Sequence, residues 1–240
     1  MNNPLHFVAT SIATIYNESI QQSEYKHKSD HYSVSIRSHS KMVKTVGIDI
    51  GSQKCVLVAD DAELVRTSTG SISRPTLVAF VAPQSRYVGE EAAAYIAGES
   101  TLPMLNVLLG KSLDEIKALE ITAHIKPSLV ATDNSEVVGV GMTYCGESKT
   151  FPINALGGMY IAKLWDRVVE VYGTDVNIAF SLPTSFSDTA AKALYDSCTI
   201  AGVDTSKVSI VDSSDSLLST YSRKLSALRP AEKANLEVHL

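Results

Sequence analysis

The chain has 240 residues, of which 45% are hydrophobic and 20% charged, and its formal net charge is −5. This composition is ordinary for a soluble globular protein and long enough for one large domain or two small ones. The acidic balance and the lack of a Lys/Arg run argue against nucleic acid as a partner, because that binding rests on clustered cations. No stretch approaches the roughly 20 apolar residues that span a bilayer. We therefore expect no membrane segment and a cytoplasmic location.

The first 41 residues differ in composition from the rest of the chain. Residues 1–41 are rich in Ser, His and Tyr and show no sustained period of 2 or 3.6. The pattern changes at Met42, where we place a domain boundary, and Met42 is an alternative start of the functional chain. The segment predicts a disordered N-terminal arm, with a tail phosphorylated on its serines as the alternative.

Short apolar strands follow the boundary. Period-2 patterns predict strands at 45–50, 55–60 and 77–81. A longer alternating pair follows at 136–144 and 149–151. This part of the chain therefore begins as a β-meander.

The second half changes to a helical period. Apolar residues on one face predict a helix over 156–172, and Gly173 stands where a C-terminal cap belongs. A strand is predicted at Val176–Leu182, directly before Pro183.

The remaining elements continue this alternation. Ser187 and Asp188 are N-cap candidates for a helix that Gly202 closes. A strand over 208–211 and a helix over 215–224 follow. Strands first and alternating helices and strands afterwards predict an α/β fold, with one mixed sheet and crossover helices on its faces.

The three cysteines form no recognisable site. Cys55, Cys145 and Cys198 are widely spaced and match no metal-ligand pattern. They predict buried thiols in a reducing compartment.

The segment over 46–58 carries the chemistry. It consists of two apolar strands joined by a tight polar turn, in which Gly51 allows the backbone to approach a phosphate closely. Successive N–H groups of the turn can converge on an anion. Asp49 places a carboxylate near the strand end, where Mg-nucleotide chemistry requires hard oxygen atoms. The candidate binding residues are Asp49, Gly51, Ser52, Gln53 and Lys54.

An ordinary hairpin is the alternative interpretation of this segment. In that case Asp49 hydrogen-bonds turn amides and Gly51 serves the turn alone. A buried carboxylate in an apolar strand is costly unless it has partners, which favours a functional role.

The hairpin resembles the first phosphate loop of the actin, sugar-kinase and heat-shock ATPase superfamily, most closely that of the seventy-kilodalton heat-shock chaperones. The turn followed by Cys55 is similar to the one-hundred-ten-kilodalton branch of these proteins. The resemblance extends over residues 42–224. Further segments that carry it are 72–80 (ISRPTLVAF), 86–91 (RYVGEE), 108–111 (LLGK), 176–188 (VNIAFSLPTSFSD) and 199–202 (TIAG).

The resemblance implies an actin-like ATPase (ribonuclease H-like) fold with a mixed five-stranded sheet, of which this chain carries the first lobe only. It implies lobe I over 42–225, and a linker and the start of a missing lobe II over 226–240. The implied cofactors are ATP or ADP and Mg²⁺ held through water, with no direct metal ligand. The implied partners are a heat shock protein 70 chaperone and unfolded client proteins, which the protein assists as nucleotide-exchange factor or holdase.

Two positions depart from the family pattern. Asn106 stands where the family has a lysine that stabilises the transferring phosphoryl group. Loss of one such donor costs about 3 kcal/mol, so we expect hydrolysis to be slowed roughly a hundredfold or more. At the family's glutamate position stands Asp212 or Ser213, and Asp212 has an N-cap as its alternative role. Asp49 and Asp212 are thus the candidate acids near the Mg²⁺ waters.

Two other functions stay open from the sequence. One is a small-molecule kinase of the same superfamily. The other is a degenerate scaffold that binds no nucleotide and serves partner contacts.

Overall fold

The computed structural model describes residues 43–60, 62–81, 84–133, 137–183 and 186–227. The predicted arm over 1–41 lies outside these residues, as does most of the predicted linker over 226–240.

The described residues form short strands in the first half and long helices in the second. In chain order the strands are β1 (Lys44–Ile50), β2 (Lys54–Ala59), β3 (Arg74–Pro75), β4 (Leu77–Val81), β5 (Ser85–Val88), β6 (Thr101–Pro103), β7 (Ser128–Ala131), β8 (Val138–Tyr144), β9 (Glu147–Pro152), β10 (Val176–Leu182) and β11 (Val208–Asp212). The α-helices are α1 (Glu90–Ala93), α2 (Leu105–Leu108), α3 (Leu113–Lys117), α4 (Ile153–Tyr172), α5 (Asp188–Ile200) and α6 (Ser213–Ala227). Two 3₁₀ turns cover Glu120–His124 and Thr205–Lys207.

The central sheet is mixed and has five strands in the spatial order β11-β10-β1-β2-β3. β1, β10 and β11 run parallel, whereas β2 is antiparallel to β1 and to β3. Helix α5 provides the crossover between the parallel strands β10 and β11. The predicted mixed sheet with crossover helices is confirmed. Two three-stranded sheets, β5-β4-β6 and β7-β8-β9, accompany it.

The main core lies between one face of the central sheet and helices α4 and α5. Alternate residues of β1, namely Val46, Ile48 and Ile50, point into it because side chains of a strand alternate between faces. The two helices pack closely, since a Cβ on Gly157 would lie 2.6 Å from the Ser197 Oγ. The other residues of β1, Asp49 among them, face the opposite side of the sheet.

Helix ends follow the predicted capping chemistry. Gly173 caps α4 with a φ of 83°. The Ser187 hydroxyl accepts a hydrogen bond from the Ala190 N–H at the start of α5. At the other end of α5, Gly202 has a φ of 76° and donates its N–H to the Thr199 carbonyl. These three predicted caps are confirmed.

Several expectations differ from the structure. Helix α4 begins at Ile153 rather than at residue 156. Cys145 is exposed, because it lies in the tight turn between β8 and β9 with a φ of 56°; only Cys55 and Cys198 are the buried thiols predicted. The last helix begins at Ser213 rather than at residue 215. Its earlier start follows from Asp212, whose carboxylate accepts the Ser214 N–H at 2.6 Å.

Within the described ranges, no helix has the length and apolarity needed to cross a bilayer.

Candidate functional site

The turn between β1 and β2 is tight and open to solvent. The Gly51 N–H donates to the Lys54 carbonyl at 2.9 Å, which closes the turn. A Cβ on residue 51 would lie 2.9 Å from that same carbonyl oxygen, so the turn requires glycine. Ser52, Gln53 and Lys54 are exposed. The turn is therefore open to solvent, and binding of an anion by its N–H groups stays a prediction.

Thr76 stabilises this turn through two hydrogen bonds. Its hydroxyl donates to the Gly51 carbonyl at 2.9 Å, and its N–H donates to the Gln53 carbonyl at 2.9 Å. Thr76 is fully buried. Sequence reasoning did not single it out, although it lies in the segment over 72–80 that carries the resemblance. The two bonds fix the turn relative to β3.

Asn106 in α2 contacts the end of β1. Its side-chain Nδ2 donates to the Ile50 carbonyl at 3.0 Å, across 56 positions of sequence. The side chain is buried, and its Oδ1 has no hydrogen-bond partner among the described residues. A neutral amide bonded to the backbone thus occupies the position for which the resemblance implies a lysine. It offers no positive charge to a phosphate.

Asp49 lies on the face of the sheet that is turned away from α4 and α5. Its neighbours across the sheet are Val56 on β2 and Ser181 on β10. Burial raises the pKa of the Asp49 carboxyl from 3.8 to about 6, and no opposite charge or hydrogen bond of the described residues offsets the shift. The group is therefore mostly ionised at neutral pH but poorly solvated. A hydrated cation would supply the missing compensation.

Ser181 is a residue that the sequence pattern did not single out. It is fully buried, and its Oγ has no hydrogen-bond partner among the residues described. The parallel register places it directly beside Asp49. The available signal was a hydroxyl residue near the end of an otherwise largely apolar strand.

Asp212 ends β11 at the same edge of the sheet, where the carboxyl ends of the three parallel strands meet. It pairs with Leu182, one position beyond the row that contains Asp49 and Ser181. The alternation of side chains directs it to the opposite face from Asp49. Its bond to the Ser214 N–H gives it the role of an N-cap of α6. Ser213 is the first residue of that helix.

Three cavities of the described surface lie elsewhere. They have volumes of about 180, 320 and 350 Å³, and the predicted hairpin residues line none of the three. The hairpin and the carboxyl edge of β1 and β10 form an open edge instead. Such an edge can contact a ligand from one side only.

Comparisons with known proteins assign the sequence to a family. The family model described as Hsp70 protein matches residues 45–212. The chain is 25% identical to the chaperone protein DnaK of Stenotrophomonas maltophilia over 173 residues, which cover 70% of this chain and 26% of that protein. It is 26% identical to a ribosome-associated molecular chaperone of Zygosaccharomyces rouxii over 168 residues, which cover 68% of this chain and 27% of that protein.

The chain thus spans about a quarter of the length of these curated relatives. The matched residues run from the second residue of β1 to the last residue of β11, and so include all strands of the central sheet. The mixed sheet and its helices form a lobe of the actin-like ATPase fold. The chain belongs to the Hsp70 protein family.

Proposed function

We propose that this chain is the first nucleotide-binding lobe of an Hsp70-type chaperone, which binds the phosphates of ATP or ADP at the turn over 51–54. The observation that carries the proposal is the exposed, glycine-dependent turn beside the half-buried carboxylate of Asp49. Amide donors meet phosphate oxygens, and the carboxylate meets the waters of the accompanying cation.

The residues present fit a hydrated Mg²⁺ ion. Among the described residues, the buried Asp49 carboxylate has no compensating charge, and the neighbouring Ser181 hydroxyl has no hydrogen-bond partner. Mg²⁺ keeps several of its waters, so oxygen acceptors around it need not bind the ion directly. The bound ion would neutralise phosphate charge. The carboxylate and hydroxyl would hold its waters, and the turn would hold the phosphates.

Hydrolysis is slow in this proposal. Asn106 carries no charge, and its Nδ2 is already bonded to the Ile50 carbonyl. One missing donor to a developing charge slows a reaction by about a hundredfold or more. Asn106→Lys is therefore expected to raise the single-turnover rate of ATP hydrolysis, and an unchanged rate would contradict this account of position 106.

Slow hydrolysis favours a role that depends on binding. Nucleotide exchange or holding of unfolded clients for an Hsp70 partner needs a nucleotide-stabilised lobe rather than rapid turnover. The names of the relatives, which are chaperones, support the choice of chaperone assistance over a small-molecule kinase. A prevented-aggregation assay with an unfolded client protein tests the holdase activity.

Binding is tested by calorimetry on the 240-residue chain with Mg-ADP and Mg-ATP. We expect weak binding, because an open edge contacts the nucleotide from one side, and Asp49→Asn should weaken it further. Asp166→Asn is the matched control, since Asp166 is an exposed acid on α4, outside the proposed site. No heat and no thermal shift at millimolar nucleotide would exclude the proposal in favour of a non-binding scaffold.

A further inference from the structure

We propose that Ser181 is a positioning residue of the phosphate-binding edge, whose hydroxyl donates a hydrogen bond to the Asp49 carboxylate when a hydrated divalent cation binds there. This inference rests on the proposed function. It assigns a role to a side chain that the hairpin pattern does not include.

The register of the sheet makes the Asp49 and Ser181 side chains direct neighbours. One row across the central sheet contains Val56, Asp49, Ser181 and Val211, on four adjacent strands. Directly paired residues of neighbouring strands present their side chains on the same face. The outer two members of the row are apolar, so Asp49 and Ser181 are the polar neighbours in it.

Neither side chain has a hydrogen bond among the described residues. The Ser181 Oγ is buried without a partner among the described residues, and burial alone accounts for the raised pKa of the Asp49 carboxyl. A buried unsatisfied hydroxyl costs free energy, and such a group in a native structure calls for an explanation. A cation that fixes the carboxylate at the sheet edge would give the hydroxyl an ionised acceptor. Carboxylates that hold a metal are commonly oriented by such a second hydrogen bond.

Ser197 provides an internal comparison. It is also fully buried, but its hydroxyl donates to the Ala193 carbonyl at 2.7 Å within α5. Its hydroxyl therefore contributes a bond within the protein, whereas that of Ser181 makes none among the described residues. Ser197 therefore serves as the structural comparison for Ser181, whose hydroxyl is proposed to act in ligand binding.

This contrast predicts that Ser181→Ala weakens Mg-ADP binding without lowering the melting temperature. Ser181→Ala removes an unsatisfied hydroxyl, so the ligand-free protein should melt at the same temperature as wild type or higher. The same variant should bind Mg-ADP about tenfold more weakly, which corresponds to about 1.4 kcal/mol. Its affinity for ADP without Mg²⁺ should stay within about twofold of wild type, because the hydroxyl acts through the cation-binding carboxylate.

The experiment compares wild type, Ser181→Ala, Ser181→Thr and Ser197→Ala by thermal unfolding without ligand and by calorimetry with ADP, with and without Mg²⁺. Ser181→Thr keeps the hydroxyl and should restore Mg-ADP affinity. Ser197→Ala should lower the melting temperature and leave the Mg²⁺ dependence of binding unchanged.

The outcomes distinguish this inference from the proposed function. If wild type binds no nucleotide, the proposed function fails and the inference falls with it. If wild type binds but Ser181→Ala binds Mg-ADP equally well, or loses affinity equally with and without Mg²⁺, only the inference is overturned. A melting temperature of Ser181→Ala below that of wild type would also overturn it, because the hydroxyl would then have a structural partner.

Discussion

The side-chain amide of Asn106 donates a hydrogen bond to the backbone carbonyl of Ile50 at 3.0 Å and so connects α2 to the end of β1. Ile50 directly precedes Gly51, the first residue of the turn proposed to bind phosphate. Asn106, for which the resemblance implies a lysine, is therefore a structural support of the hairpin.

Asn106→Ala should destabilise the fold. The substitution leaves the Ile50 carbonyl without this donor, and an unsatisfied buried group costs about 1–3 kcal/mol. Urea unfolding at pH 7 measures the loss. Asn154→Ala is the control, because Asn154 is also a buried amide but makes only a long bond of 3.4 Å to Asp196. An equal loss for both variants would contradict a specific role for the Ile50 bond.

Asp49 should make stability depend on pH. Burial raises its pKa from the ordinary value of 3.8 to about 6 in the fold, so between these values the folded state binds more protons than the unfolded state. Stability is then highest below pH 4 with respect to this group, and falls as the pH rises towards 6. A shift of this size corresponds to about 3 kcal/mol at pH 7.

Asp49→Asn should remove this penalty. We expect the variant to be more stable than wild type at pH 7, by up to about 3 kcal/mol, and to differ little from it at pH 4. Chemical denaturation at both pH values measures the difference, with Asp166→Asn as an exposed control. A variant less stable than wild type at pH 7 would show that the carboxylate has a favourable partner.

Gly110, in the segment after α2, packs against the start of α5. A Cβ at this position would lie 2.3 Å from the Ala190 Cα, and the Thr189 hydroxyl donates to the Gly110 carbonyl at 2.9 Å. Gly110→Ala should cost about 3 kcal/mol, since overpacking alone costs about 1–3 kcal/mol and positive φ adds strain.

Gly70→Ala separates the cost of overpacking from the cost of backbone strain. Gly70 also has a positive φ, of 86°, but no described atom lies within 4 Å of the position that a Cβ would occupy there. It should show the backbone strain alone, about 1 kcal/mol. If the two variants lose equal stability in urea unfolding, the predicted contact of Gly110 with α5 is wrong.

The hairpin could be predicted from the sequence because its determinants are local. Strand periodicity, the turn glycine and the helix caps at Gly173, Ser187 and Gly202 each depend on neighbouring residues. The order of strands and helices along the chain was then enough to predict a mixed sheet. The caps formed as expected because each one satisfies backbone groups within a single turn.

The supports of the site could not be predicted in this way. Thr76, Asn106 and Ser181 act through contacts between residues 25 to 56 positions apart or through the register of two distant strands. The resemblance marks Asn106 as a departure from the family pattern, but the bond of Asn106 to Ile50 depends on how α2 packs beside β1. Sequence pattern carries no information on that packing.

The exposed thiol of Cys145 should be the one that reacts in the native protein. It lies in the turn between β8 and β9, whereas Cys55 and Cys198 are buried, and burial raises the pKa of both to about 12. The thiolate is the reactive form, so both buried groups should stay unmodified until the fold opens. A thiol reagent followed by mass spectrometry should find one adduct in the native chain and three after denaturation. Cys145→Ser should give no rapid adduct, and rapid labelling of that variant would show that the cores around β2 and α5 open readily.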